Sequence, residues 1–366
     1  PTCLGLCRIL RGIIVKNKIH FKRFLRIISC VLIVVLVVSG AGLFCNHPDL
    51  LIEGTINSFY NEDNDSLDYV LIGASAALND ASPTVIWQKS KLAGNNFSVN
   101  GCHSDIYVSV LKESLSKQKN ALLVIDVDPF YYDISQGDKY GATSSWIDLM
   151  PKNKNWLETI KKCDSQNTIE HFFPILKYHC YSTKAYTFLS QTKKSLTYKQ
   201  PDSLKGWNIL NDFQIERSQI NSLKLFDSNA LSPTALEKEL ETNLYETLDY
   251  CKDNNLNVVF VDYPKSYFND EKKQIISKTE SKLITCENVI RQYGYDVLNY
   301  NKLDNPAALT KSDFADCYHL NKKGAVKFST FLADYLAENY TFKSHTAQFT
   351  DSWDKTAREV CKAYNL

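Results

Sequence analysis

Four short apolar runs set the fold class of this chain: residues 69–73, 121–127, 258–263 and 296–300. Each is rich in Val, Leu, Ile or Tyr, and none alternates cleanly between apolar and polar. A strand that faces water on one side shows a period of two, whereas a strand buried on both faces reads as a continuous apolar run. Helical patterns lie between the runs. Tyr107, Val110, Leu111 and Leu115 recur at helical spacing within 106–118, segment 237–254 is amphipathic before the third run, and 270–293 precedes the fourth. This alternation predicts an α/β chain with a doubly wound, flavodoxin-like parallel sheet covered on both faces. Ligands in such sheets sit at the carboxyl ends of the strands, which places Ser75 and Asp128 at the expected site.

Two segments at element edges carry residues of the types that acyl chemistry needs. Asp68-Tyr-Val-Leu-Ile-Gly-Ala-Ser75 reads as a buried strand that delivers a serine to a turn. Asp316-Cys-Tyr-His-Leu-Asn321 sets a carboxylate and an imidazole three residues apart, before a helix expected over 325–336. A serine hydroxyl becomes a useful nucleophile only when a base takes its proton, and the base needs a partner that fixes its tautomer. Ser75, His319 and Asp316 supply these three roles, with Asp313 the second choice for the acid. Read singly, Ser75 is also a small turn residue and His319 a helix-capping polar group.

The same residues resemble a known family. Val70-Leu-Ile-Gly-Ala-Ser75, followed by Asn95-Asn-Phe-Ser-Val-Asn-Gly101, is similar to the first two blocks of SGNH (GDSL-type) hydrolases. Asp316-Cys-Tyr-His-Leu-Asn-Lys-Lys-Gly-Ala325 resembles their closing Asp-x-x-His block, in a form found in membrane-anchored bacterial members that modify cell-envelope polymers, such as the teichoic-acid D-alanyl transfer and the alginate and peptidoglycan O-acetylation proteins. The resemblance covers roughly 66–340, with a weaker echo at Phe172-Phe-Pro-Ile-Leu-Lys-Tyr-His179. It implies a three-layer fold, an acyl-serine intermediate, backbone oxyanion donors from Ser75 or Ala76 and from Gly101, and a membrane-bound O-acyltransferase as partner; Asn100 reads either as a substitute for the family's side-chain amide donor or as a loop cap. The usual Gly-Asp-Ser is here Gly73-Ala74-Ser75. No Gly-x-Asn-Asp block stands where Ile125-Asp-Val-Asp-Pro129 lies, so an inactive, carbohydrate-binding or scaffold relative is the competing reading, as is an O-acetyl esterase.

The chain of 366 residues has a net charge of +1 that hides an asymmetry. Residues 1–26 hold seven basic side chains and no acid, which leaves 35 of the 42 basic against all 41 acidic side chains beyond them, a net of −6. Residues 27–44 are eighteen in a row without a charge. With Phe24 and Leu25 the run approaches the ~20 residues that cross a bilayer, longer than the ~7–15 of a signal-peptide core. The basic cluster before it predicts a cytoplasmic N-terminus and an exported remainder. The expected organisation is a cytoplasmic segment 1–26, a transmembrane helix 27–45, a polar spacer 46–65, an SGNH-like domain 66–345 with 133–235 inserted over the strand ends, and a helical tail 346–366.

Several classes are disfavoured. No basic patch with interleaved aromatics appears beyond the N-terminus, which argues against nucleic-acid binding. Eleven cysteines, eight of them past residue 44, show no disulfide framework and no C-x-x-C pair. No His/Cys/Asp spacing forms a recognisable metal site, so none is expected, and the chemistry calls for no cofactor. His103 beside Cys102 reads as a polar loop pair, His179 as a pocket or structural histidine, and Asp126 and Asp128 as substrate-hydroxyl ligands or loop caps.

Overall fold

The computed structural model describes residues 21–40, 50–132, 136–173, 176–177, 193, 202–211 and 215–366. They fall into two units, one comprising 1–47 and 167–197 and the other 48–166 and 198–366. The larger unit is an α/β structure around five parallel strands: β1 (Tyr69–Ile72), β2 (Gly94–Asn96), β3 (Leu122–Asp126), β5 (Val258–Asp262) and β7 (Asp296–Asn299). Their order is β2-β1-β3-β5-β7, or 2-1-3-4-5 when these five are counted alone, which is compatible with a flavodoxin-like arrangement. A separate antiparallel pair joins β4 (Lys224–Leu225) to β6 (Ser266–Tyr267).

The apolar runs are continuous because both sheet faces are buried. Val70, Ile72, Leu123, Ile125 and Phe260 point into one core with the helices Leu50–Tyr60, Tyr107–Lys117, Lys238–Asp253 and Asp270–Gln292. Their sequence neighbours Tyr69, Leu71, Leu122, Val124, Val259 and Val261 point into the other, against Pro83–Ser90 and Lys322–Asn339. The pleat sends successive side chains to opposite faces, and here each face meets a helical layer. A fully buried Leu or Phe contributes roughly 1.5–3 kcal/mol relative to an exposed one, so the two layers are the main stabilising term.

The structure extends the sequence expectation in three places. β2 has the sequence Gly-Asn-Asn, which carries no strand signal. It forms because Gly94 lies flat on Tyr69, whose ring carbon Cζ is 2.1 Å from where a Cβ would stand. Residues 46–65, read as a polar spacer, contain the helix Leu50–Tyr60, whose Ile52, Ile56 and Phe59 are core residues. This corrects the spacer reading: the three apolar side chains sit at helical spacing, and Phe59 stacks on Phe97 at 4.1 Å. The helix of the expected tail 346–366 runs over Ala347–Tyr364, capped by the Thr346 hydroxyl, which accepts the Phe349 N–H. It is part of the fold, with Trp353 at 5.1 Å from Trp87 and Asp354 accepting the Trp87 indole N–H at 2.8 Å.

Within segment 133–235 the described helices Gln136–Leu149 and Lys154–Cys163 pack beside the Tyr107–Lys117 layer, with Trp146 and Trp156 in the core. In the smaller unit, residues 21–40 are helical and expose Val31, Leu32, Leu36 and Val37, each more than half accessible. The uncharged part of that helix is the 14 residues 27–40, about 21 Å at 1.5 Å per residue. The rest of the expected span, 41–45, lies outside the described residues, and among the described residues no helix is long and apolar enough to cross a membrane.

Gly324 is held by close packing. A Cβ there would lie 2.1 Å from the backbone oxygen of Asp313, at the start of the loop that bears Asp316 and His319. Gly324→Ala is therefore expected to lower the unfolding free energy by about 1–3 kcal/mol in urea denaturation, despite the better helix propensity of alanine.

Candidate active site

β1 and β3 pair in register, Tyr69 with Leu122 through Ile72 with Ile125. Gly73 therefore leaves its strand beside Asp126, and a Cβ on it would meet Asp126 Cβ at 2.4 Å and Ala77 Cβ at 2.6 Å. The Ala74 N–H donates to Asp126 Oδ2 at 3.0 Å, and the chain turns at once into the helix Ser75–Asp80 with Ser75 first. The tight exit is why a glycine precedes the serine by two positions. This is also where the chain has crossed from β2 on one side of β1 to β3 on the other, the strand-order reversal at which such sheets bind ligands.

The second segment closes on the first. Asp316 Oδ1 accepts the Tyr318 N–H at 2.7 Å and the His319 N–H at 2.8 Å, so the carboxylate folds back on its own loop. Phe314 bridges to Leu320, and Ala315 N–H donates to His319 O, which makes the loop a tight reversal. Asn321 then caps the helix Lys322–Asn339 by accepting from Lys323 and Gly324. The three-residue spacing lets one loop carry both side chains at bonding distance. His319 Nδ1 is 2.8 Å from Asp316 Oδ2 and 3.0 Å from Oδ1, and His319 Nε2 is 2.8 Å from Ser75 Oγ.

These contacts assign the protons. An ionised carboxylate only accepts, so Nδ1 carries the hydrogen, Nε2 offers its lone pair, and the Ser75 hydroxyl donates to it. Burial favours the neutral form of Asp316, but hydrogen bonds and the charge of His319 outweigh it and hold the carboxyl below its ordinary value. For His319, burial pulls downward, yet the Asp316 hydrogen bond and charge, with Asp80 and Asp128 further off, raise the imidazole above its ordinary 6.5.

Val99 N–H donates to Gly73 O at 3.0 Å, and Cys102 N–H to Val99 O at 3.0 Å, which closes a turn with Asn100 and Gly101 in its middle. Gly101 has φ +70°, the conformation a glycine takes without strain. The N–H groups of Ser75 and Gly101 have no partner among the described residues, and Asn100 is exposed. Asp128 is half-buried and engaged by Lys265 Nζ at 3.1 Å and by the Tyr131 hydroxyl at 2.5 Å. Asp313 is committed elsewhere, to the Thr310 N–H and to Lys327. His179 lies outside the described residues.

Beneath Asp128 sits a buried ionic cluster with no signature in the sequence. Lys265 Nζ meets Asp262 Oδ1 at 2.5 Å and Glu280 Oε1 at 3.3 Å, and Tyr131 donates toward the same carboxylates. Burial, with neighbouring negative charge, pushes Glu280 up to about 8 and Asp262 to about 6, although Lys265 opposes both shifts. Three carboxylates around one ammonium cannot all stay ionised cheaply. Asp262 ends a legible strand, but Glu280 sits inside an amphipathic helix where nothing sets it apart from the surface acids.

No metal was expected. The fold nevertheless brings ligand atoms of His103, Asp105 and Glu239 within 4.8 Å of one another, a group that no sequence spacing announces because Glu239 comes from a distant helix. Cys30, Cys102, Cys251, Cys286, Cys317 and Cys361 are free thiols, and Cys45 and Cys180 lie outside the described residues.

The pH behaviour of His319 follows from its partners. Because its folded value is raised, the folded state binds more protons than the unfolded chain between the ordinary value and the raised one, so this group's stabilisation is present below about 6.5 and is lost as pH rises through the folded value. Asp316→Asn removes the main cause of the raising, and the NMR titration midpoint of His319 is expected to fall.

Searched against protein-family models the chain matches none, and no curated protein matches it. The likeness to SGNH hydrolases accordingly stands on the quoted motifs alone.

Proposed function

We propose that the chain is an SGNH-type serine enzyme, anchored to the outer face of a bacterial cytoplasmic membrane, that moves an acyl group to or from hydroxyls of a cell-envelope glycopolymer. The observation that carries this reading is the hydrogen-bonded series Ser75 Oγ, His319 Nε2, His319 Nδ1 and Asp316, in which Ser75 and His319 are 244 residues apart in the chain and the order of contacts is the one acyl transfer requires.

In the proposed reaction Ser75 Oγ attacks an ester carbonyl while His319 Nε2 takes the hydroxyl proton. Asp316 stabilises the imidazolium and holds the ring in place. The developing oxyanion is received by backbone N–H groups, for which Ser75 and Gly101 have donors to spare. His319 returns its proton to the leaving alkoxide, and an acyl-serine remains. A second hydroxyl, deprotonated by the same nitrogen, then releases the acyl group. When that hydroxyl belongs to the polymer the outcome is transfer, and when it belongs to water the outcome is de-esterification. The missing Gly-x-Asn-Asp block removes one side-chain donor from the usual set, so the backbone pair carries the oxyanion.

Anchoring is supported by the exposed apolar side chains of the helix 21–40, since a helix apolar on all sides is stable only when something other than water covers it. Seven basic residues on one side of the run orient it with the larger unit exported. An acyl donor would then arrive through the bilayer, which is the part a membrane-bound O-acyltransferase would play.

On a simple acetyl ester, Ser75→Ala and His319→Ala should each reduce kcat/KM by roughly 10³-fold or more, and the double variant should add little, because the two side chains act as a unit. Activity that survives Ser75→Ala assigns the nucleophile elsewhere. The acid limb of the wild-type pH profile should lie above 6.5, since only neutral His319 accepts the proton and its partners raise its value.

A further inference from the structure

One buried carboxylate outside the triad belongs to the same geometry. Asp80 ends the six-residue helix that Ser75 begins, and it is 0% exposed. Its Oδ1 accepts the backbone N–H of Leu320 at 2.8 Å, and Leu320 directly follows His319. One short helix thus holds the nucleophile at one end and grips the loop of the base at the other. Apart from the Ser75–His319 contact itself, this is the hydrogen bond that joins helix and loop among the described residues. Other anchors of the loop, among them Ala315 N–H to His319 O, Ser266 N–H to Cys317 O and the Ser266 hydroxyl to Asp316 O, lead to its own stem and to β6.

The arrangement is costly. Asp80 Oδ2 is buried and has no hydrogen-bond partner among the described residues. An unsatisfied buried polar atom costs about 1–3 kcal/mol, so a side chain kept in this state invites a functional explanation. Burial pushes the Asp80 carboxyl well above its ordinary range while the charge of His319 pulls it back, so the two groups favour each other's charged forms.

We propose that Asp80 is a positioning residue for the Ser75–His319 pair, tying the loop of the base to the helix of the nucleophile through the Leu320 N–H. The assignment rests on the acyl-transfer reading above. Without this tie the loop keeps its internal bonds but can slide relative to Ser75, and a displacement of about 1 Å at reacting atoms is enough to cost on the order of 10²-fold.

The test compares Asp80→Asn and Asp80→Ala with the wild-type full chain on p-nitrophenyl acetate. Asparagine keeps an acceptor at the Oδ1 position, so its kcat should stay within about fivefold of wild type, whereas alanine should lose ~10²-fold in kcat with KM nearly unchanged. Wild-type kcat in Asp80→Ala, or an Asp80→Asn enzyme as impaired as the alanine variant, overturns the proposal. If Asp80→Ala does not fold, Asp80→Glu replaces it: the acceptor moves by one methylene, and kcat must fall in a folded protein. A second arm needs no turnover. The low-field proton of His319 Nδ1–H should remain sharp in Asp80→Asn and broaden or vanish in the alanine or glutamate variant, and an unchanged resonance there counts against positioning. Absence of esterase activity in the wild type would sink the acyl-transfer reading, while this resonance would still decide the role of Asp80.

Discussion

The in-register pairing of β1 with β3 is the constraint on which the site depends. It sets Gly73 against Asp126 with no space for a side chain, fixes the Ala74 N–H on the Asp126 carboxylate, and forces the chain into a helix whose first residue is Ser75. Val99 N–H on Gly73 O adds the turn that contains Gly101 to the same strand end. The proposed nucleophile and the candidate oxyanion donors are thus placed by backbone hydrogen bonds of a rigid sheet. Only the base comes from elsewhere, on a loop that folds around its own acid.

Electrostatics at the strand ends are dominated by buried carboxylates. Asp126 lies at the strand end before Ser75, its carboxyl pushed well above the ordinary range by burial and by Asp128, while the backbone N–H groups of Ala74 and Asp128 pull it back. Asp316, with two backbone donors and an imidazole, is favoured in its charged form. Asp126 and Asp316 are thereby driven apart in acidity by their surroundings, the pattern that separates structural from chemical roles. The Lys265 cluster continues the negative field under Asp128, and Tyr132 and Tyr318 form an edge-to-face pair at 5.9 Å beside His319. In the proposed reaction a breaking ester would meet a site that favours protonated His319.

Much of this was legible in the sequence because the signals are local. Continuous apolar runs at 69–73, 121–127 and 258–263 follow directly from two-sided burial, and Asp-x-x-His closes within one loop, so spacing alone carries its geometry. What escaped depends on contacts between distant segments. β2 is a strand only because Gly94 fits under Tyr69. The Leu50–Tyr60 helix was obscured by the acidic residues that follow it, although Ile52, Ile56 and Phe59 mark its inner face. Asp80, Lys265 and Glu280 are ordinary charged residues in sequence, and only tertiary packing removes them from water.

In the proposed reaction Ser75 becomes acylated through His319. The most direct measurement is intact-protein and peptide mass spectrometry of the full chain after brief exposure to an acetyl ester and acid quench. An acetyl group on the peptide that contains Ser75, present in wild type and lost in His319→Ala, is the predicted result. Acetylation that falls on a lysine or cysteine instead, or ester turnover with Ser75 never modified, would contradict the account.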